Sequence, residues 1–504
     1  MATAGREEVV LVFDCGATNL KVVAVDPQGR IVAHASQANG PKPQEDGEPG
    51  WLVWDLEEIW RRLCEGAREV SKKVGPESIK AVTVTTWGAD GAPVKRDGAL
   101  TYPPISWQCP RTEATMKGIS ESVSALEIFR TTGYQLIPFN TLFRLIWLRN
   151  TVPEALDNAY TWLMMPGLIA QKLTGMFHID PTSASTMMAM DLGRRDWSAS
   201  MLDLAGLDPS FFPDWCEPGQ TVGYVTEEAQ KGCWVLSGVP VIAGGHDTQF
   251  ALFGSGAKMD EAILSSGTWE ILGVRSSIFN PSRSAFEDAL IIEADVRAGL
   301  WNPQLLMMGS GVLEWVLDEF FPEIGDEKYD IMTEEARNVA AGSDGVTFIP
   351  SFVRESGPTR KYGTMGTVLG LTLRTSRGQI IRSALEGLSF QLKQALRILI
   401  EATEIDVKGI RVVGGGAKNL LWNQIRADVT GLPVTVTEQL EYTALGAALV
   451  AWTGIGRYRN LKDARKNVFE RERVFKPSAN QDLYENVFEH YVNALESLRG
   501  YYQR

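Results

Sequence analysis

VVLVFDCGATNLKVVAVDPQG, residues 9–29, decides how the chain is read. Val9 to Phe13 is a β-rich apolar run and DCGATN is a short polar loop. Leu20 to Val25 is a second apolar run, and DPQG closes it. Two such runs around a small polar tip read as a strand, a loop, a returning strand and a turn. Ile31 to Ala35 is a candidate third strand. Gly16 lets the backbone turn sharply, and Ala17, Thr18 and Asn19 leave room and N–H donors for an anion. Lys21 adds positive charge. Asp14, at the strand end, is a carboxylate of the kind that holds a hydrated Mg²⁺. A plain hairpin turn would account for the same residues.

A second copy of this pattern follows at Glu261. Glu261 to Leu264 is a short strand, SSGTWE is the loop, and Ile271 to Val274 is the return. Each half of the chain therefore opens a sheet with a hairpin whose tip is small and polar. Ser266, Gly267 and Thr268 offer backbone and hydroxyl donors, and two such loops can grip a polyphosphate from both sides. The expected boundary lies between Gly245 and Glu261. Elsewhere, residues 55–70 have helical spacing, with Ile59, Leu63, Ala67 and Val70 on one face. Residues 111–180 read as mostly helical, with one helix around Asn140 to Arg149 and another around Trp162 to Leu173. TALGAALVAWT, from Thr443, is a small-residue helix suited to close packing, and Gln481 to Leu498 is a final amphipathic helix.

The bulk composition bounds the function. A chain of 504 residues, 44% hydrophobic and 22% charged, predicts two or three domains with large cores of their own. A net charge of −13 with no Lys/Arg cluster argues against a nucleic-acid partner. The five cysteines are scattered without CxxC spacing, which fits a reducing cytosol rather than a disulfide or zinc framework. MATAGREEVV carries no apolar signal run, and no stretch of about 18 apolar residues suggests a membrane span. The expectation is a cytoplasmic protein.

Three further loops carry chemistry. GGHDTQ, residues 244–249, places His246 and Asp247 at the end of an apolar strand, where a carboxylate can take a proton from an alcohol. The structural alternative for Asp247 is a helix N-cap. GGGAKN, residues 414–419, follows a strand and precedes a helix, so that a flat ring can lie against its backbone. It lacks GxGxxG spacing, and the chain has no GxxxxGK[ST] loop, which disfavours standard NAD and P-loop enzymes. TTWGADGA and ISWQCPRT set Asp90 and Arg111 beside Trp87 and Trp107. Polar groups beside aromatic faces suit a sugar; a buried ion pair or aromatic packing is the alternative.

In this order, DCGATNLK, GGHDTQ, SSGTWE, GGGAKNLLWNQIRADVTGLPV and ALGAALVAW resemble the motifs of the FGGY carbohydrate kinases, across residues 9–456. The resemblance implies an α/β chain with the two-domain actin-like ATPase (ribonuclease H-like) fold of the sugar kinase, Hsp70 and actin superfamily. In that fold an interdomain cleft closes over the substrates. Residues 1–247 would be the N-terminal domain, binding sugar and carrying the first phosphate loop, and residues 248–504 the ATP-binding C-terminal domain. The implied reaction is ATP- and Mg²⁺-dependent phosphorylation of a small ketose, with no nucleic-acid or membrane partner and a homodimer left open. Asp247 resembles the general base and Asp14 the Mg²⁺-side carboxylate. Thr18, Asn19, Lys21, Gly267 and Thr268 resemble the phosphate side, and Gly415, Gly416 and Asn419 the nucleotide pocket. Asp90, Trp107, Arg111 and His246 are the sugar candidates. The wording of TTWGADGA, YPPISWQCPRT and GGHDTQFALFGSG implies L-fuculose as the ketose; the segment PSFVRESGPTR, residues 350–360, is similar to the general family and leaves L-rhamnulose, D-ribulose and L-xylulose open as alternatives. A non-catalytic sugar or nucleotide sensor is the rival class, and the presence of both Asp14 and Asp247 argues against it.

Overall fold

The computed structural model describes residues 7–322, 325, 327–354, 356–438 and 441–502. The first six residues, and Glu355 within the 350–360 segment, lie outside them. The chain forms two compact units. The first comprises Met1–Gly256, Ile292–Trp301 and Glu441–Phe469; the second comprises Ala257–Ile291, Asn302–Leu440 and Glu470–Arg504. Two late segments thus return to the first unit, so the division is not one cut in the chain.

The first unit is built on a six-stranded sheet. Its order is Thr221–Tyr224, Pro240–His246, Ile79–Thr86, Val9–Cys15, Asn19–Val25 and Ile31–Ala38. Strand Val9–Cys15 is buried along its whole length. Its odd residues Val9, Leu11 and Phe13 pack into a core with Ile59, Leu63, Ala67 and Val70 of helix Leu56–Val74. Its even residues Val10 and Val12 pack into another core with helix Tyr442–Gly454. Period-2 alternation between two helical layers explains why the run is apolar throughout rather than alternating with polar residues. Val9–Cys15 runs antiparallel to Asn19–Val25 and parallel to Ile79–Thr86, which in turn runs parallel to Pro240–His246. Asp14 and His246 therefore both stand at the carboxyl ends of parallel strands, where open α/β sheets bind ligands.

The second unit repeats the plan. Glu261–Ser266 is antiparallel to Trp269–Gly273 and parallel to Gly409–Val413. The sheet continues through Val434–Thr437 to Glu472–Phe475. Its core gathers helices Ser310–Phe320, Arg377–Thr403, Leu420–Thr430 and Gln481–Tyr502. Helix Arg377–Thr403 begins with a reciprocal capping box between Ser376 and Gln379.

One element differs from expectation. Trp162 does not begin a helix: Thr161–Met164 is a strand paired with Gly91–Val94, and the helix is Met165–Thr174. Pro166 in the first turn fixes that start, because its missing N–H costs nothing there. All five cysteines are free and buried. No helix among the described residues is long and apolar enough to cross a membrane.

Candidate active site

The first unit brings Asp14, Lys21, His246 and Asp247 into one electrostatic group. Asp14 is 9% exposed, and its Oδ1 accepts a hydrogen bond from Thr85 Oγ1 at 3.1 Å. Burial, and then the Asp247 carboxylate, push its carboxyl up to about 7, against the pull of Lys21 and Thr85. Lys21, expected on the phosphate side, forms an ion pair. Its Nζ donates to both oxygens of Glu441 at 2.8 and 2.7 Å. The hairpin tip is held by Asn39, whose backbone N bonds Thr18 O at 2.8 Å and whose Nδ2 bonds Gly16 O at 2.9 Å. That leaves the side chains of Thr18 and Asn19 exposed.

Asp247 opens helix Asp247–Gly254, but it is not the N-cap; His246 is. Its Oδ1 accepts from Thr248 N at 2.6 Å and faces His246 Nε2 at 3.4 Å. Burial raises the Asp247 carboxyl, opposed by His246 and the Thr248 bonds. Burial works against a charged His246, yet Glu293, Asp247 and Asp180 outweigh it and lift the imidazole to about 9. The chain makes this possible by laying Ile292 against Gly133, backbone to backbone at 2.8 Å, which sets Glu293 beside Tyr134 and His246.

The tryptophan-lined segments fold around Asp90. Asp90 has no exposed surface, and its carboxylate is taken up by groups of the protein. Its Oδ2 accepts from Trp54 Nε1 at 2.5 Å, Trp87 Nε1 at 2.9 Å and the Trp107 backbone N at 3.1 Å. Its Oδ1 pairs with buried Arg144 at 2.8 Å. Trp107 projects with its ring 40% exposed. Arg111 is caged: its guanidinium lies 4.3 Å from the Trp51 ring centre and 5.1 Å from that of Trp147, and it donates to Tyr102 Oη at 3.0 Å.

In the second unit, Gly267 and Thr268 form the hairpin tip. Their carbonyls accept from Ser310 N at 2.8 Å and Gly309 N at 3.0 Å, which fixes the start of helix Ser310–Phe320. Beneath the tip lies a buried pair, Glu270 with Arg426, bridged by Ser266 Oγ. Gly415 and Gly416 lie in a short 3₁₀ turn, and Asn419 caps helix Leu420–Thr430 by accepting from Trp422 N at 3.0 Å. A Cβ on Gly416 would strike Ser266 Oγ, so the glycine lets the two loops touch. Gly415, Gly416 and Asn419 line a cavity of about 550 Å³ together with Ser310, Tyr329 and Arg337. Its size suits a nucleotide-sized ligand.

Residue reasoning missed Glu293, Tyr134, Arg144 and Trp54. Glu293 and Arg144 left a signal: each is a lone charge inside an apolar run, ALIIEA and LFRLIWL, which a buried partner must satisfy.

Residues 9–254 match the N-terminal domain, and residues 262–454 the C-terminal domain, of the FGGY family of carbohydrate kinases. The chain belongs to that family and is a carbohydrate kinase with the two-domain FGGY fold. It is 39% identical to the L-fuculokinase of Escherichia coli (strain K12), over 96% of this chain and all of that one. It is 37% identical to the L-fuculokinase of Haemophilus influenzae, over 91% of this chain and 97% of that one. A xylulose kinase structure from Rhodospirillum rubrum superimposes with a TM-score of 0.89 at 22% identity, covering 99% of this chain and 100% of that one.

Proposed function

We propose that the chain transfers the terminal phosphate of ATP to the 1-hydroxyl of L-fuculose. The near full-length similarity at 39% identity to an L-fuculokinase carries this choice of sugar. The residues of the first unit supply the acceptor chemistry. Asp247 is the general base: its Oδ1 is held by Thr248 and His246, which leaves Oδ2 for the hydroxyl proton. His246 and Asp90 act by positioning, Asp90 by anchoring the Trp107 backbone so that the ring stands ready for an apolar sugar face. Arg111 helps set the same wall through its aromatic cage. The residues of the second unit supply the nucleotide chemistry, with Gly415, Gly416 and Asn419 in the cavity and Gly267 and Thr268 as phosphate loop. Thr18 and Asn19 offer donors from the first hairpin.

Asp14 fits a divalent cation. Among the described residues no group of three or more His, Cys, Asp or Glu could hold a metal, but Mg²⁺ keeps its waters and needs only one or two carboxylates. A buried carboxyl pushed up to about 7 by desolvation and a second carboxylate is one that a cation would relieve. Bound there, Mg²⁺ supplies charge neutralisation of the phosphates. A sensor without catalysis has no need of two repelling carboxylates, whose cost to stability is a mark of functional sites.

Phosphorylation assays over L-fuculose, L-rhamnulose, D-ribulose and L-xylulose test the sugar. L-Fuculose is expected to give the highest kcat/KM. A win by another ketose of more than about tenfold, which a single pocket contact can supply, removes the fuculose assignment.

A further inference from the structure

Glu293 is 1% exposed, on strand Ile291–Ala294, and its carboxylate is fully engaged. Oε1 accepts from Tyr134 Oη at 2.5 Å; Oε2 accepts from Gln249 Nε2 and faces His246 Nδ1 at 3.2 Å. Among the described residues, its ion-pair partner is the imidazole. The other side of that ring looks at a second carboxylate, Asp247 Oδ1, across 3.4 Å. An imidazole flanked on both nitrogens by carboxylates is satisfied only when both carry a proton, because a neutral ring would set a lone pair against one of them. The ring is held on its backbone side as well: His246 N donates to Thr182 Oγ1 at 2.9 Å, and Thr182 Oγ1 donates to Asp180 at 2.5 Å. The charges facing His246 are thus Glu293 on strand Ile291–Ala294, Asp180 ahead of helix Pro181–Ser185, and Asp247 on its own helix.

We propose that Glu293 is a positioning residue for phosphoryl transfer: it holds His246 as a two-sided donor, and His246 in turn pins Asp247 Oδ1 so that Oδ2 faces the acceptor hydroxyl. This rests on Asp247 being the base. With 1% of its surface exposed, Glu293 acts through the imidazole it pairs with. Tyr134 and Gln249 fix its carboxylate, and a buried carboxylate with two neutral donors and one cationic donor is a rigid anchor rather than a mobile charge. A hydroxyl proton is then received at one oxygen, with the other immobilised. The same logic lets a carboxylate behind a catalytic histidine set its orientation and protonation.

Three measurements test this. The chain has four histidines, so ¹⁵N-histidine spectra are simple, and His246→Gln identifies the signal that disappears. Wild-type His246 is expected to show both nitrogens protonated near pH 7; a neutral ring overturns the proposal. In Glu293→Gln that signature should be lost and kcat should fall roughly 10- to 100-fold, the range for partners that orient a functional histidine, with KM for ATP unchanged. Glu293→Asp, which keeps the charge, should recover part of the loss. Unchanged kcat, or a loss seen equally in KM for ATP, overturns it. Should Glu293→Gln fail to fold, the wild-type spectrum and Glu293→Asp still decide. In an Asp247→Asn background, Glu293→Gln should cost nothing further. An active Asp247→Asn protein instead removes the base assignment, while the spectrum, which needs no turnover, separately reports on the Glu293–His246 link.

Discussion

At the scale of single residues, Asp247 and Asp14 are expected to respond to substitution in different ways. An alcohol proton must leave as its oxygen bonds to phosphorus, and Asn at position 247 keeps the shape but cannot accept it. General-base loss costs about 10²–10⁴ in rate, so Asp247→Asn should lower kcat by that order while KM for ATP stays near its original value. Because an Asn oxygen can still accept from Thr248 N as Asp247 Oδ1 does, the helix start should survive the change, and a well-folded variant with full kcat would remove Asp247 from the chemistry. Asp14→Asn should also lose activity, but it should gain stability in metal-free buffer. The Asp14 carboxyl sits at about 7 in the folded chain against 3.8 ordinarily. A raised acid favours the fold below the lower value and loses that contribution as pH climbs through the higher one. At pH 8 the ionised, buried side chain therefore penalises the native state by something on the order of a few kcal/mol. Melting temperatures should show the variant above wild type at pH 8, with the gap closing towards pH 4; a variant that melts lower at pH 8 contradicts this. The residue types of this site were legible because strand ends followed by glycine and carboxylate are chemically unusual. Their partners were not. Glu293 and Glu441 lie 47 and 420 residues from the groups they meet, and no local pattern encodes such a pairing. For Asp90 likewise, the spacing to Trp87 is visible in the sequence, but the arrival of Trp54 and Arg144 is not.

At the scale of elements, the two hairpins and the small-residue helix were legible, because apolar runs, a glycine tip and a run of alanines each act locally. The segment at Trp162 was not. An apolar run serves a buried strand or a buried helix equally, and only pairing with Gly91–Val94 decides it. The small-residue helix Tyr442–Gly454 shows what its composition is for. It packs on helix Asp247–Gly254 at two facing glycines: a Cβ on Gly446 would overlap the Phe250 carbonyl, and one on Gly254 the Tyr442 carbonyl. This contact seats the helix whose first residue is Asp247, and it brings Glu441 to Lys21. In a helix interior Gly→Ala ordinarily stabilises by up to about 1 kcal/mol. At Gly446 the sign should reverse, because the new methyl meets fixed backbone and overpacking costs about 1–3 kcal/mol. Gly500, in helix Gln481–Tyr502, has open space around it and is the control. Denaturation midpoints should fall for Gly446→Ala and hold or rise for Gly500→Ala. Equal behaviour of the two would mean the helix pair has slack that the backbone contacts deny.

At the scale of the whole molecule, the length and the repeated hairpin announced two α/β units, but not how the chain is shared between them. Trp452 Nε1 donates to Val25 O across 427 residues, and helix Tyr442–Gly454 covers Val10 and Val12 of the first sheet. No period or composition shift marks such a return. It has a practical consequence: a chain cut after Gly256 would leave one face of the first sheet bare, so the units must be studied together. Ligand-dependent hydrogen exchange in the intact chain does this, since protection reports which backbone segments a ligand stabilises. If the second unit carries the nucleotide, a non-hydrolysable ATP analogue should slow exchange in Lys328–Arg337, in the 3₁₀ turn Gly415–Lys418 and in the first turn of Leu420–Thr430, because these line the cavity. A ketose alone should instead protect residues 87–90, whose Asp90 anchors the Trp107 backbone, and the end of strand Pro240–His246, which leads into Asp247. Binding adds stability in proportion to the logarithm of ligand over Kd, about 2.7 kcal/mol at a hundredfold excess, which is ample to read in locally opening segments. Strand Val9–Cys15 is buried throughout and should exchange slowly in every state, which makes it the internal reference. Nucleotide protection confined to the first unit, or ketose protection around Gly415, would show that the division of labour between the units is wrong even if the enzyme phosphorylates its sugar.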